Sequence, residues 1–193
     1  GKAKFTADFC EEGQLHGVVL RSPFAHATLK NLDSEVARKA AGVIGVYTHD
    51  DLAVDGIGPL PCAAVSAVQT LEPIVVPPRP ALANGRVRHV GDPIAFVVAD
   101  SRTAALDALE LINVDYDEHT ALVIASDALV DGAPQLWDEA PGNLCFRFKK
   151  GDEAGTEAAI ADAPHVVEMK IMAMIFVILY VLQTTKHLIA MVI

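Results

Sequence analysis

A dense run of prolines places the strongest limit on how this chain can fold. Six of the eleven prolines lie between Ala53 and Ala81, together with Gly56 and Gly58. Proline lacks the backbone N–H that helices and sheet ladders use, so this stretch cannot form a long helix or a central strand. Irregular segments of such length usually serve as binding or packing arms, or as linkers. We therefore predict a long Pro-rich connection over residues 53–81, here called the arm.

The composition is that of a globular protein. The 193 residues are 52% hydrophobic and 21% charged, with a formal net charge of −10, and the mean hydropathy is +0.34. A disordered chain would be more polar, and this length is sufficient for a hydrophobic core. The acidic balance argues against a nucleic-acid binder, because binding to phosphates needs a basic face.

The three cysteines, Cys10, Cys62 and Cys145, are odd in number and far apart. Their spacing fits neither a disulfide framework nor a zinc site, so a reducing compartment is expected. The first eight residues are polar and lack the apolar stretch of a secretory signal. We predict a cytoplasmic protein and interpret Cys145, within an apolar stretch, as a buried inert thiol.

The composition changes abruptly near residue 168. Nineteen of the last 25 residues are apolar; they hold all four methionines and no Gly, Pro, Asp or Glu. We predict one domain over residues 1–168 and an anomalous apolar tail over residues 169–193. The unbroken apolar run 171–182 is short of the roughly 20 residues that span a bilayer. A buried or intermolecularly packed tail is therefore favoured over a membrane segment.

Local patterns predict short strands and helices in alternation. Apolar runs and period-two alternation predict strands at 15–21, 27–32, 43–47, 87–90, 94–99, 114–116, 144–148 and 166–170. Helices are predicted at 34–41, from residue 100 or 101 to about 112, and at 153–161, and a helical turn at 127–129. Asp33, Asp100 or Ser101, and Asp152 are suited to cap these helices. Such alternation predicts an α+β fold with a mixed sheet and short helices.

Several polar groups could be read as reactive sites, and each has a simpler structural interpretation. His49, Asp50 and Asp51 follow a predicted strand. Adjacent residues there rarely converge on one metal ion, so we interpret them as solvated loop residues. His16 and His26 flank an apolar strand, and we interpret them as core-edge or interface histidines.

The Gly85–Gly91 stretch (GRVRHVG) resembles an anion-binding loop only superficially. Asp92 stands where a phosphate would lie, and no helix follows directly. We interpret Gly91 as a hairpin glycine. Arg86 and Arg88 are predicted to face a partner subunit or an acidic loop of this chain.

Five strings of the sequence, in this order, carry a resemblance to a known family. They are Gly1–Asp8 (GKAKFTAD), Leu15–Ala27 (LHGVVLRSPFAHA), Gly42–Leu52 (GVIGVYTHDDL), Val87–Ala95 (VRHVGDPIA) and Ala108–Tyr116 (ALELINVDY). Together they resemble the N-terminal α/β-hammerhead domain of the molybdenum-binding large subunit of the xanthine dehydrogenase, aldehyde oxidase and carbon monoxide dehydrogenase family. The resemblance covers about residues 1–168 and implies an α+β fold of the α/β-hammerhead type.

The resemblance also implies a chemistry for the parent protein. In the family, a molybdenum centre on a pterin cofactor hydroxylates a C–H bond or oxidises CO, and electrons leave through iron–sulfur clusters, usually to FAD. The cofactor-binding segments and the catalytic glutamate lie downstream of the hammerhead domain. The resemblance therefore implies no catalytic, cofactor-binding or metal residue in this fragment. It implies a structural role against the remainder of the large subunit and the iron–sulfur and flavin subunits, with the arm as a candidate contact.

The sequence departs from the family after residues 166–171. Members typically continue into an Arg-, Asn- and Pro-containing stretch that opens the cofactor-binding portion, whereas this chain continues with apolar residues. We interpret the tail as the start of that portion, altered by a frameshift, a truncation or an uncertain sequence assignment near Lys170. The alternative hypothesis is a stand-alone interaction module that self-associates, or docks to a partner or a membrane, through its tail.

Overall fold

The computed structural model describes residues 2–5, 9, 11–62, 74–147 and 151–167. The chain divides into a first unit, residues 1–60 and 78–121, and a second unit, residues 61–77 and 122–193. The strands are β1 (His16–Arg21), β2 (Ala27–Asp33), β3 (Val43–Tyr47), β4 (Arg86–Val87), β5 (Pro93–Ala99) and β6 (Asn113–Glu118). The helices are α1 (Glu35–Arg38), α2 (His49–Val54), α3 (Arg102–Glu110) and α4 (Glu153–Ala161), with 3₁₀ turns at Ala125–Leu129 and Pro141–Asn143.

The first sheet of the first unit is antiparallel and has the order β1-β5-β3. Because side chains alternate along a strand, Ala95, Val97 and Ala99 of β5 share one face, and all three are fully buried. Ala105 and Ala108 of α3 pack in the same core. Small side chains on both elements let the helix approach the sheet closely.

The second sheet of the first unit is also antiparallel, with the order β4-β2-β6. Its inner face supplies Ala27 and Val87 to a second core, together with Ala83 and Ile94. Ile94 belongs to β5, so the central strand of the first sheet contributes to both cores. The α+β class predicted from the sequence is confirmed, and in place of one mixed sheet the described strands form two antiparallel sheets.

Helix α3 follows its predicted pattern closely. Ser101 caps the helix, since its side-chain oxygen accepts a hydrogen bond from the N–H of Ala104 at 3.2 Å. Ala105 and Ala108 are fully buried, whereas Leu106 is 38% exposed. The fully buried part of this helix therefore consists of small side chains.

Four predicted elements differ clearly in extent or type. Helix α1 is only Glu35–Arg38 instead of residues 34–41. At its start, Asp33 still pairs in β2 and its carboxylate accepts from the N–H of Glu35. Strand β4 is only Arg86–Val87 instead of residues 87–90. The predicted strand at 144–148 is wrong for its described residues 144–147, which are irregular. Of the predicted strand 166–170, residues 166 and 167 are irregular and the others lie outside the described residues.

The described parts of the arm lack regular structure, apart from its first two residues, which end α2. Residues 55–62 and 74–81 contain neither helix nor strand. Within the first unit, the N–H of Leu60 donates to the carbonyl oxygen of Arg79 at 2.8 Å, so the two ends of the arm meet. Residues 63–73 lie outside the described residues.

The second unit is held by amide side chains. Asn143 is 3% exposed and its Nδ2 donates to the carbonyl oxygens of Ala128 and Pro134, each at 3.0 Å. Its Oδ1 accepts from the N–H of Leu136 at 2.9 Å. Asn143 adopts a left-handed backbone with φ 58°, which Asn tolerates better than most residues. Its side chain thus ties together loops that form no sheet.

Candidate functional site

The sequence prediction for His49, Asp50 and Asp51 is wrong, because these residues form the first turn of α2 instead of a loop. Asp51 Oδ2 accepts hydrogen bonds from the backbone N–H of Thr48 at 2.7 Å and from Thr48 Oγ1 at 2.8 Å. Arg38 of α1 donates to the same oxygen at 2.8 Å. A carboxylate at this position stabilises the N-terminal end of a helix. Asp51 therefore joins two short helices to each other.

The charge of Asp51 is fixed by these partners. Burial acts to raise the pKa of its carboxyl, but the hydrogen bonds from Thr48 and the Arg38 guanidinium outweigh burial and hold the pKa below its usual value. A general acid or base works best with a pKa near the working pH. Asp51 is thus suited to a structural role and not to proton transfer.

Two histidines meet at one end of the second sheet. His26 is 4% exposed, and its ring lies edge-on to the ring of His119 with centroids 5.1 Å apart. His26 Nδ1 lies 3.0 Å from the carbonyl oxygen of Thr120. A carbonyl only accepts, so Nδ1 carries a proton. Thr28 Oγ1 and His119 Nε2 are 2.7 Å apart.

The environment of His26 favours the neutral imidazole. Burial lowers its pKa most; the Thr120 hydrogen bond opposes this, and the positive charges of His119, Arg86 and Arg88 lower it further. The neutral ring leaves Nε2 as an acceptor, and this atom is buried without a hydrogen-bond partner among the described residues. The prediction of a core-edge histidine is confirmed for His26. His16 begins β1 and is half-buried.

The turn before β5 holds its own carboxylate. Gly91 has φ +86°, so it occupies a turn position that favours glycine. Its predicted role as a hairpin glycine is wrong, because β4 pairs with β2 whereas β5 pairs with β1 and β3. Asp92 Oδ2 accepts from the backbone N–H of Arg88 at 2.9 Å, and Arg21 donates to the carbonyl oxygen of Gly91 at 2.9 Å. The Arg88 side chain donates to the carbonyl oxygen of Arg86 at 3.2 Å. An amide of the turn thus already binds an anionic group of the chain, which agrees with the sequence argument against an anion loop.

The described cysteines do not form a reactive pair. Cys62 is exposed and Cys145 is buried. Burial is the larger cause, and the nearby Cys62 the smaller cause, of a raised pKa of the Cys145 thiol. The raised pKa disfavours the nucleophilic thiolate. Cys145 is therefore buried as predicted, although not in a strand. Cys10 lies outside the described residues.

The described residues do not fit a molybdenum–pterin group. Among them, no cluster of three or more His, Cys, Asp or Glu side chains could hold a metal ion. A large polar cofactor also needs several well-placed polar groups in a concave site. In the part of the chain that the structure describes, His26 Nε2 is the single buried side-chain nitrogen or oxygen without a partner.

Sequence reasoning missed two of these interactions for different reasons. Thr48-His49-Asp50-Asp51 follows the capping-box spacing, so its pattern was available in the sequence. The hydrogen bond between His26 and Thr120 spans 94 positions. No local pattern predicts that β2, which follows His26, pairs with β6, which precedes Thr120.

Comparison with known proteins identifies the fold. A family model described as aldehyde oxidase and xanthine dehydrogenase, a/b hammerhead domain, matches residues 1–120. The chain belongs to this family. The α/β-hammerhead resemblance inferred from the five strings is thereby confirmed.

Two relatives of this chain are named as the large subunit of a hydroxylase and the large chain of a dehydrogenase. The chain is 35% identical over 169 residues to the nicotine 6-hydroxylase large subunit of Paenarthrobacter nicotinovorans, covering 86% of this chain and 20% of that protein. It is 32% identical over 181 residues to the carbon monoxide dehydrogenase large chain of Hydrogenophaga pseudoflava, covering 86% and 21%. The chain thus spans about a fifth of the length of these relatives.

Solved structures agree with this family membership. The chain superposes on CO dehydrogenase from Oligotropha carboxidovorans with a TM-score of 0.72 and 31% identity, covering 85% of this chain and 20% of that one. Quinoline 2-oxidoreductase from Pseudomonas putida 86 gives a TM-score of 0.65 and 34% identity, covering 84% and 20%. Among the described residues, no helix has the length and apolar character needed to cross a membrane.

Proposed function

We propose that this chain is the non-catalytic hammerhead part of the large subunit of a molybdenum-dependent oxidoreductase. Its role is to brace the cofactor-binding remainder of that subunit. The observation that carries the proposal is that relatives five times as long contain a matching segment of about a fifth of their length. A domain that recurs within longer oxidoreductase subunits is expected to act with the rest of the subunit.

The proposal assigns no catalytic, cofactor-binding or metal residue to the chain. The pKa directions support this assignment. The lowered pKa values make Asp51 and His26 weaker bases, and the raised pKa of Cys145 disfavours the nucleophilic thiolate. The molybdenum–pterin group belongs to the remainder of the large subunit. Iron–sulfur clusters and FAD belong to partner subunits or domains.

The proposed boundaries follow the sequence. Residues 1–168 form the hammerhead domain and residues 169–193 are an altered start of the cofactor-binding region. The arm is a proposed contact with other subunits, because Ile57, Leu60 and Val76 expose 52%, 56% and 41% of their surface. The tail that would carry the alternative, a self-associating module, lies outside the described residues.

Expression with and without the missing region tests the proposal. The full chain is produced alone and together with a tagged version of the remaining four fifths or so of the P. nicotinovorans large subunit. We expect no molybdenum to co-elute with the chain alone and more molybdenum to be retained by the remainder when the chain is present. Molybdenum bound by the chain alone would contradict the proposal. The proposal would also be contradicted if the remainder retained the same amount of molybdenum with and without the chain.

A further inference from the structure

The first sheet is apolar on both of its faces. One face packs on α3. The opposite face, here called the open face, carries Gly17, Val19, Gly45, Tyr47, Phe96 and Val98, as the strand register requires. An antiparallel sheet with one solvated face normally alternates apolar with polar residues. The Tyr47 hydroxyl is the single polar side-chain group among these six residues.

Two aromatic rings make the open face smooth. Phe96 lies directly between Val19 and Tyr47 in the register. A Cβ atom at Gly17 would overlap the Phe96 ring, and one at Gly45 would come within 2.9 Å of the Tyr47 hydroxyl. Both rings therefore lie over glycine backbone instead of projecting from the sheet. Such an arrangement creates a flat apolar surface.

The open face lies next to a packed core of the first unit. Ile94 of β5, at the register irregularity opposite Leu20 and Arg21, is fully buried in the second core. Two positions further along β5, Phe96 is 36% exposed, and its register partner Tyr47 is 38% exposed. Apolar surface therefore extends along β5 beyond the packed core.

We infer that the open face docks against an apolar surface of the remaining part of the same large subunit. This inference rests on the proposed function. Relatives extend over about five times the matched length, which supplies the chain needed to cover the face. Permanent interfaces are more hydrophobic than transient ones. An uncharged face on a chain of net charge −10 is therefore suited to a permanent contact within one subunit.

A charge placed on the open face tests the inference. The full chain is co-expressed with the tagged remainder of the P. nicotinovorans large subunit, and the amount recovered on the tag is measured. Phe96→Glu is expected to reduce recovery by about tenfold or more, because a buried unpaired charge at an interface centre is costly. Phe96→Leu keeps the face apolar and should retain recovery. Val36→Glu is the matched control, since Val36 is 60% exposed in α1 of the same unit.

A second measurement needs no substitution. Hydroxyl-radical oxidation, read by mass spectrometry, reports the exposure of the Phe96 and Tyr47 rings in the free chain and in the complex. Both rings should be oxidised several-fold less in the complex, whereas the half-buried Tyr116 should change little. Circular dichroism of each variant confirms that a loss of recovery does not arise from unfolding.

Each outcome separates the inference from the proposed function. Equal recovery of the wild type and Phe96→Glu would overturn only the inference that the open face is the docking surface. Unchanged oxidation of the two rings in a complex that does form would have the same meaning. Failure of the wild-type chain to be recovered overturns the proposed function and the inference with it. Ring oxidation that falls with rising concentration of the chain alone assigns the face to a second copy and overturns the inference.

Discussion

The two units of the chain are stabilised in contrasting ways. In the first unit, β5 contributes apolar side chains to both cores, and side chains such as Val46 and Val97 are fully buried. In the second unit, the described loops between residues 122 and 147 are joined by the side-chain amides of Gln135 and Asn143. Packing tolerates small changes of shape, whereas each amide hydrogen bond requires one geometry. The second unit should therefore be more sensitive to the loss of a single side chain.

The largest effect is expected from Asn143→Ala. The substitution leaves the carbonyl oxygens of Ala128 and Pro134 and the N–H of Leu136 without their side-chain partner. The loss of one buried and two half-buried hydrogen bonds, together with the left-handed backbone, should cost about 3–4 kcal/mol. The single tryptophan, Trp137, lies in this unit, so its fluorescence during urea unfolding measures the change.

Asn143→Gly is the control for this prediction. Glycine adopts φ 58° without strain, so its effect isolates the hydrogen bonds from the backbone. If both variants lowered the free energy of unfolding by less than about 1 kcal/mol, the second unit would not be more sensitive than the first to the loss of a single side chain. Hydrogen exchange in β5 should be unchanged if the two units unfold separately.

Val97→Ala should have a somewhat smaller effect in the first unit. Val97 is 0% exposed in the core beneath α3, and removal of its two methyl groups should cost about 2–3 kcal/mol. Val36→Ala, at a 60% exposed position, should change stability by less than about 0.5 kcal/mol. Hydrogen exchange of β1, β3 and β5 provides the measurement, and equal effects of the two variants would refute the packing account.

Asp51→Asn tests how far the first unit also depends on polar links. The amide loses the charge that the Arg38 guanidinium and the helix end both favour, with an expected cost of about 1 kcal/mol. Chemical denaturation at pH 7 measures this cost. Asp50→Asn, at the neighbouring exposed position, is the control, and an equal loss there would assign the effect to net charge.

The smallest effect is a pH dependence from His26. Its pKa is lowered in the folded chain, chiefly by burial, so the unfolded chain takes up protons first as the pH falls. The contribution to stability is therefore complete above the unfolded pKa of about 6.5 and is lost below it. Thermal unfolding from pH 8 to pH 5 should show a steeper loss in wild type than in His26→Asn. Parallel curves for the two proteins would contradict this sign.

Elements with local signals were predictable in both units. Strand β3 of the first unit and helix α4 of the second begin and end where the sequence predicts, since an apolar run and a capping Asp152 act over a few residues. The polar groups of the candidate sites were less predictable. The loop predicted at His49–Asp51 is wrong, although the capping box that begins at Thr48 is a local signal for a helix start.

The sequence by itself determined the family, the α+β class and the irregular character of the described parts of the arm, because the five strings, the periodicity and proline act through short-range chemistry. Only the tertiary structure decided that Ile94 is fully buried whereas Phe96, two residues further along β5, is 36% exposed. It also decided that His26 meets Thr120 across 94 positions. These facts depend on which strands pair and which elements cover each face, and such contacts join residues that are far apart in the chain.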